Sequence, residues 1–492
     1  MNMPHRFHQQ VVLKFFDKST SLRDIIHKLN KHSVLTVFLI SSAIILPFNL
    51  LSDAGLYYDS FDYFELAETF DRHGFSFLNY HNETRGYFFS FTLYLLQGLA
   101  EFLRIDPLFF FRLCFGLLMA VFISWLVPAY YEALTHLKAT FFSRLLFALL
   151  VIYFWQGYFI YPLTDLPALI LLVVCIYALL RSTNRPNMKP LLRSILLVAA
   201  GIALSSSMIA RPSYLIVLLP IFIYLLLLVW KTFPDNVKRM AVLVSFAIGL
   251  VLGWMPQTII NLQNFHILSP FVHAQVADGN LYESHLSWGI VVQRYETNIE
   301  PDLKNPRVVF NDQHGLNIRQ NMNIDRSVEF ISPRKYIQLL IQYPVDFAIL
   351  YFRHLFNGMD ITYRTPYVDQ LNRGRVIFSL LNYSLQFIFL AAIIIWLPVL
   401  LKEKRIIAHI VILVLPAFLS LPGAVEVRFF LPVYFIMYLA VTYLVLPRFR
   451  FEWLKQRLHI FFPLYLLYVL VCFTMSASAF MSIEKLSYVF TH

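Results

Sequence analysis

Residues 213–230 read SYLIVLLPIFIYLLLLVW, an unbroken run of eighteen residues without a single charge. A helix of about 18 to 20 such residues is long enough to cross the roughly 30 Å of hydrocarbon in a bilayer. Two further runs, 34–51 and 377–401, have the same character. Strands of a transmembrane barrel would instead alternate polar with apolar side chains. The sequence therefore predicts an all-α polytopic membrane protein.

The composition of the chain excludes a water-soluble fold. Of its 492 residues, 58% are hydrophobic and 14% are charged, whereas soluble domains carry about 25% charged residues. The formal net charge of +11 does not indicate nucleic acid, because many basic residues fall in short clusters between apolar runs, as in cytoplasmic loops. Cys114, Cys175 and Cys472 lie inside apolar runs without paired spacing, so we predict packing roles for them.

The basic clusters set the predicted topology. Placing them on the cytoplasmic side puts two long polar stretches, 52–106 and 264–375, on the outer face, together with short turns near Asp165, Arg211 and Glu426. The N-terminus is then cytoplasmic and the C-terminus outside, in a multi-pass protein of the cell membrane. About eleven spans follow, at 34–51, 108–131, 142–161, 164–181, 193–209, 213–230, 240–261, 376–401, 406–422, 428–446 and 459–481.

Two apolar stretches are assigned to the outer membrane surface. Counting 86–103 as a span would move Lys138 and Arg144 to the outer face, so we predict a surface helix there, and the same for 336–356. The predicted parts of the chain are a cytoplasmic segment 1–33, a transmembrane module 34–262 with the first outer loop 52–107, a large outer loop 263–375, and C-terminal helices 376–492.

The first outer loop opens with a pair of carboxylates. Residues 57–67 read YYDSFDYFELA, in which Asp59 and Asp62 are three residues apart and would share one face of a helix. Acid groups just beyond a membrane helix are well placed for a base that meets a lipid-borne substrate. Alternatively, Asp59 or Ser60 caps the first turn of that helix.

Short motifs in a fixed order resemble those of the GT-C superfamily of membrane glycosyltransferases, of the protein mannosyltransferase and lipid A aminoarabinose transferase type. The first is the pattern Asp-Ser-x-x-Tyr-x-x-Leu-Ala, and the others follow at predicted helix ends. In chain order the matching residues are Asp59, Ser60, Tyr63, Leu66 and Ala67; Arg85, Gly86 and Tyr87; Phe111, Arg112 and Leu113; the stretch 164–168; Arg211 and Pro212; and the stretch 428–432.

This resemblance implies a hexosyl or pentosyl transferase that uses a polyprenyl-phosphate sugar donor and a glycan or lipid-linked glycan acceptor on the outer face. Asp59 would be the general base of an inverting single displacement. Members often have Asp-Glu or Glu-x-Asp at this motif, whereas here Ser60 lies between Asp59 and Asp62, so the choice of base stays open. Asp62 could instead bind a divalent cation such as Mg²⁺ or Mn²⁺, orient Asp59 or face solvent.

A phosphate leaving group needs fixed positive charge in a water-poor site. The candidates for substrate binding lie at the predicted outer edge, where arginines alternatively meet lipid headgroups and tyrosines alternatively form an interfacial belt. Asp165 and Glu426 could pair with these arginines, although Asp165 could also cap its helix. The full set is Tyr58, Tyr63, Arg85, Asp165, Arg211, Arg353, Arg375, Glu426 and Arg428.

Three other functions share the predicted topology. An outer-face polysaccharide polymerase would not need a carboxylate directly after the first span. A lipid or sugar transporter commonly has internal repeats and helices broken at mid-membrane, whereas this chain carries much of its charge at the outer edge. A scaffold would leave the acidic motif and the arginines unexplained. The expected partners are therefore the lipid-linked donor, a glycan acceptor and membrane lipids, without nucleic acid.

Overall fold

The structure is a computed structural model, and it describes residues 30, 32–72, 74–185, 187–276, 279–299, 307–321, 330–368, 375–448 and 451–483. Most of the predicted cytoplasmic segment 1–33 lies outside the described residues. The part of the chain that is described is mostly helical with five short strands. The predicted all-α polytopic class is confirmed.

The first half of the chain supplies most of the helix bundle. Helices long enough to cross a membrane are given with the 3-10 and π turns that lie within their span. These helices are α1 (Ser33–Leu50), α2 (Tyr58–Glu68), α3 (Tyr87–Leu103), α4 (Pro107–Thr135), α5 (Phe141–Phe159), α6 (Asp165–Thr183), α7 (Pro190–Ala210), α8 (Pro212–Thr232) and α9 (Asn236–Phe265).

The second half begins with short elements and ends with long helices. It contains β1 (Gln275–Val276), β2 (Gly279–Asn280), α10 (Leu281–Val291), β3 (Val292–Asn298), β4 (Arg307–Asn311), α11 (Gln313–Asn321), α12 (Pro333–Gln342), α13 (Pro344–Met359), β5 (Tyr367–Val368), α14 (Arg375–Leu400), α15 (Lys404–Leu419), α16 (Val427–Val445) and α17 (Phe451–Met481).

Ten of the described helices are long and apolar enough to cross a membrane, and they coincide with ten of the predicted spans. The eleventh predicted span, 406–422, corresponds to α15, which has only 16 residues and is about 24 Å long. It lies inside the bundle, where the ring of His409 is buried between the hydroxyl groups of Tyr130, at 3.0 Å, and Tyr224, at 2.7 Å. Two hydrogen bonds make burial of this polar ring tolerable.

Helices α7 and α9 pack backbone to backbone. A Cβ atom on Gly201 would collide with the carbonyl oxygen of Phe246, and one on Gly249 would collide with that of Val198. Small residues let membrane helices approach this closely. Arg211 directly follows the last residue of α7, so this closely packed pair carries it.

The two predicted surface segments are helical and short. Helix α3 has 17 residues and packs beside α2, because Gln97 Nε2 donates to the carbonyl oxygen of Phe64 at 3.1 Å. The segment 336–356 falls on two helices, α12 and α13, which are separated at Tyr343. Pro344 breaks the pattern because proline disfavours a helical residue before it.

The large loop folds into a small unit of its own. Strand β3 pairs antiparallel with β4 and parallel with β5, in which Thr297 is opposite Tyr367. Apolar side chains from α10, β3, α12 and α13 form a separate hydrophobic cluster. The described parts of the long polar stretch therefore pack into a platform rather than forming a simple connection.

The predicted outer segments meet at one end of the bundle. The end of α17 joins the large loop there, since the amide of Asn311 donates to the carbonyl oxygen of Ser482 at 3.1 Å. Three of the basic segments meet at the opposite end, where Arg144 pairs with Glu132 at 2.9 Å and Arg405 donates to Asn184 at 3.0 Å. Among the described residues, one end of the bundle therefore carries the long loops and the other carries basic turns.

Candidate functional site

Helix α2 begins with an irregular turn that presents Asp59. Ser60, rather than Asp59, closes this turn: its hydroxyl accepts from the amide of Tyr57 at 2.9 Å and donates to the carbonyl of Tyr57 at 2.6 Å. Tyr58 adopts a φ of 44°, which is uncommon for a residue with a side chain. Since Ser60 supplies the cap, the carboxylate of Asp59 is left for other contacts.

Two arginines from distant parts of the chain share the carboxylate of Asp59. Arg85 Nη2 lies 2.7 Å from Oδ1, and Arg428 Nη2 lies 2.9 Å from Oδ2. Such charge-assisted hydrogen bonds are among the strongest that side chains make. Each oxygen of Asp59 therefore has its own guanidinium group.

Arg85 also holds the second carboxylate of the motif. Its Nη2 atom lies 2.7 Å from Oδ2 of Asp62, and its guanidinium carbon lies 5.2 Å from the centre of the Tyr63 ring, a cation–π contact. The backbone of Arg85 is fixed by Asn82, whose Oδ1 accepts from its amide at 2.7 Å. Arg85 thus bridges Asp59 and Asp62.

Arg428 bridges Asp59 to a more buried acidic layer. Its Nε atom contacts Oε2 of Glu426, and its Nη1 atom lies 3.9 Å from Oδ2 of Asp165. Asp165 also forms an ion pair with Arg211, since Nη1 of Arg211 lies 2.8 Å from Oδ1 of Asp165. The geometry of this pair is not that of a hydrogen bond. Both Arg211 and Arg428 lie over the ring of Phe429. Three arginines and four carboxylates thus form one connected cluster.

The carboxyl groups of the cluster differ in pKa. Burial would raise the pKa of Asp59, but Arg428 and Arg85 more than reverse this and hold it at about 2. For Glu426, burial dominates over the attraction of Arg428 and raises the pKa to about 7. Burial also raises the pKa of Asp62, against the attraction of Arg85. Of these three carboxyl groups, Asp59 is therefore the one held most firmly in its charged form.

The cluster does not fit a divalent cation. Hard cations of this kind need several oxygen ligands around one point. Here a guanidinium group already lies between each neighbouring pair of carboxylates: Arg85 between Asp59 and Asp62, and Arg428 between Asp59 and Glu426. Among the described residues, no group of three or more His, Cys, Asp or Glu side chains could hold a metal ion.

The structure places most of the predicted site residues together and one, Arg353, elsewhere. Asp59, Asp62, Tyr63, Arg85, Asp165, Arg211, Glu426 and Arg428 belong to the cluster or contact it directly. Tyr58 is exposed beside it, with its ring centre 6.3 Å from that of Tyr367. Arg353 instead pairs with the buried Asp312 at 2.5 Å. The side chain of Arg375 lies outside the described residues.

Two residues of the large loop support the cluster and were not predicted. Thr297 on β3 donates its hydroxyl to Oε1 of Glu426 at 3.1 Å. Tyr367 on β5 donates its hydroxyl to the carbonyl of Tyr57 at 2.9 Å and accepts from the amide of Ser60 at 3.2 Å. The two residues are opposite each other in the parallel β3–β5 pair. No sequence motif marks them, because only strand pairing brings them to the site.

The fold and the site together define a polytopic membrane protein with a half-buried arginine–carboxylate cluster at the end that carries the long loops. This chain is similar to two solved oligosaccharyltransferase structures from Archaeoglobus fulgidus, the first of which is of AglB. One is a complex with an inhibitory peptide and a dolichol-phosphate, at a TM-score of 0.43 and 12% identity. The other is the apo form, at a TM-score of 0.46 and 11% identity.

Each likeness covers 92% of this chain and 55% of the solved chain. This chain thus spans little more than half the length of those proteins. No protein-family model matches the sequence, and no curated protein matches it. Its function is therefore inferred from its own residues and their contacts.

Proposed function

We propose that this protein is a glycosyltransferase that moves a sugar from a polyprenyl-phosphate carrier to a hydroxyl group of a glycan or lipid-linked glycan. The main support for this proposal is the carboxylate of Asp59, which is partly exposed at the end of a membrane bundle and is flanked by Arg85 and Arg428. A base next to two fixed cations suits a reaction that takes a proton from one group while a phosphate leaves another. The order of the GT-C-like motifs agrees with this reaction class.

In the proposed reaction, Asp59 accepts the proton of the acceptor hydroxyl while its oxygen attacks the anomeric carbon of the donor. The bond between that carbon and the phosphate oxygen breaks, and the polyprenyl phosphate departs with the electron pair. Positioned bases of this kind contribute typically about 10² to 10⁴-fold to the rate. Attack and departure occur on opposite faces of the sugar, so the anomeric configuration inverts.

The arginines supply positive charge for the leaving phosphate. The side chains of Arg428 and Arg85 are both largely buried, Arg428 more than Arg85. Fixed charges in a water-poor site strongly stabilise developing negative charge. Arg211 and Asp165 keep Phe429 and Arg428 in place from the side of α6 and α7. Because no cation fits between the carboxylates, no step of the proposed reaction uses one.

The proposed setting is the outer face of the cell membrane, with the N-terminal part of the chain in the cytoplasm. The long loops at the site end and the basic turns at the other end support this orientation under the positive-inside rule. Residues 34–262 would form the catalytic module with its loop 52–107, and the large loop 263–375 would complete the site between that module and the C-terminal helices.

The test is sugar transfer by the purified full-length protein from a panel of polyprenyl-phosphate sugars, with donor binding measured in parallel. Asp59→Asn should retain donor binding and lose transfer by at least about 10²-fold, whereas Asp62→Asn should retain most of the transfer. Glu68→Gln, which removes one charge from the exposed end of the same helix, is the matched control. Full transfer by Asp59→Asn would exclude Asp59 as the base.

A further inference from the structure

Asp59 is held in a form that is unsuited to accepting a proton. Both of its oxygens are engaged by guanidinium groups, and neighbouring positive charge lowers the proton affinity of a carboxylate. A general base works best when its proton affinity is matched to the working pH. The proposed reaction therefore needs something that draws the arginines away from Asp59.

The donor carries the group that can do this. Carboxylate and phosphate oxygens accept the same forked hydrogen bonds from arginine. We infer that the phosphate of the donor replaces the carboxylate of Asp59 as the partner of Arg85 and Arg428, so that donor binding releases the base. This inference rests on the proposed function, because it assigns the same site a phosphate ligand and an order of events.

The second contacts of the arginines make the exchange feasible. Arg85 keeps Asp62 as a partner at 2.7 Å, and Arg428 keeps Glu426. Neither guanidinium group has to move away from the site when it releases Asp59. An exchange of one anion for another also avoids leaving a buried positive charge without a partner, which would be costly.

The side of the cluster that carries Asp59 and Asp62 is more exposed than the arginine side, so a ligand reaches these two carboxylates first. The Asp59 and Asp62 side chains are 37% and 44% exposed, whereas those of Arg85 and Arg428 are 20% and 11% exposed. A phosphate arriving from outside therefore meets the side on which Asp59 lies. The carboxylate that must be displaced is the most accessible partner of Arg428, since Glu426 and Asp165 are buried.

The exchange predicts that removing the competing charge strengthens phosphate binding. Farnesyl phosphate in detergent micelles is the probe, titrated into the full-length wild type and into Asp59→Asn. The variant should bind it about 10-fold more tightly or better, the size of one charge-assisted hydrogen bond. Glu68→Gln should bind as the wild type does, which shows that net charge alone does not produce the gain.

Two further titrations identify the part of the probe that is recognised. Inorganic phosphate should also bind more tightly to Asp59→Asn than to the wild type. Farnesol, which lacks the phosphate, should bind equally to both. A gain with farnesol would overturn the inference, because the lipid tail would then be responsible. Asp59→Ser, also uncharged, serves as the second variant if Asp59→Asn does not give folded protein.

The result that overturns the inference is equal or weaker binding of farnesyl phosphate to both uncharged variants. This outcome is separate from failure of the proposed function. If Asp59→Asn loses sugar transfer but gains no affinity, Asp59 is a base that does not compete with the phosphate. If it gains affinity while neither protein transfers sugar, the exchange stands and the proposed reaction fails.

Discussion

Arg428 and Asp59 are 369 residues apart in the chain, and the Nη2 atom of Arg428 lies 2.9 Å from Oδ2 of Asp59. This contact joins the first turn of α16 to the first turn of α2. It brings the acidic motif of the first outer loop to the buried carboxylates Glu426 and Asp165. The candidate site therefore exists only when the C-terminal helices are packed against the N-terminal module.

Replacing Arg428 by lysine should impair transfer even though the charge is kept. Lysine lacks the planar fork that lets Arg428 contact Asp59 and Glu426 together. We expect Arg428→Lys to lower kcat by about 10²-fold, the usual cost of losing one preorganised donor to developing charge. Steady-state kinetics with the best polyprenyl-phosphate sugar measures this.

The matched control for this change is Arg72→Lys in the same outer loop, where Arg72 is exposed. It should leave kcat unchanged. If Arg428→Lys behaves like this control, the arginine acts only through its charge or takes no part in the reaction.

Removing the hydroxyl of Thr297 should reduce activity through Glu426 and Arg428. Thr297→Val keeps the shape of the side chain but cannot donate to Oε1 of Glu426. The loss of one hydrogen bond corresponds to roughly a 5- to 10-fold effect, which we expect in kcat rather than in KM for the donor.

Thr297→Ser restores the donor and should restore kcat. Both variants are compared at equal concentrations of folded protein. If Thr297 has only a structural role, the variants differ in the amount of folded protein but not in kcat. Equal kcat values for the two variants would contradict a positioning role.

Glu426 should make the protein less stable as the pH rises through neutrality. Its pKa is raised from the ordinary value of 4.5 to about 7, so the folded state binds more protons than the unfolded state between these values. The stabilisation is then fully present below about pH 4.5 and is lost as the pH rises through about 7. Asp59 behaves oppositely: its pKa of about 2 gives stabilisation that is lost on strong acidification.

The thermal midpoint measured in detergent at pH 5 and pH 8 tests this. Charged groups facing Glu426 are Arg428, Asp59 and Glu296, with the hydroxyl of Thr297 in contact. Wild type should have a lower midpoint at pH 8 than at pH 5, and Glu426→Gln should show a smaller difference. An unchanged difference would mean that other groups titrate.

Removing divalent cations should leave sugar transfer unchanged. Arg85 and Arg428 already lie between the carboxylates that would otherwise bind such an ion. We expect wild-type activity in excess EDTA to stay within about twofold of that in Mg²⁺, since the fixed guanidinium charges serve the leaving phosphate. Loss of transfer in EDTA, restored by Mg²⁺ or Mn²⁺, would show that the arginines move aside for a metal.

The sequence by itself determined the membrane-spanning helices, because the transfer of an apolar run into hydrocarbon depends on local composition and length. It also indicated candidate site residues, because charged residues near a membrane are costly to bury and are therefore often functional. These are Asp59, Asp62, Arg85, Asp165, Arg211, Glu426 and Arg428. Helix α15 ends at Leu419, three residues before the end of its predicted span, because composition locates the middle of a helix better than its ends.

Only the tertiary structure decided which charges meet. It joined Asp59 to Arg428, recruited Thr297 and Tyr367 through the pairing of β3 with β5, and gave Arg353 a separate partner in Asp312. Ion pairs and hydrogen bonds act over a few ångströms, so they depend on which distant segments pack together. That information lies in the whole fold rather than in any one stretch of sequence.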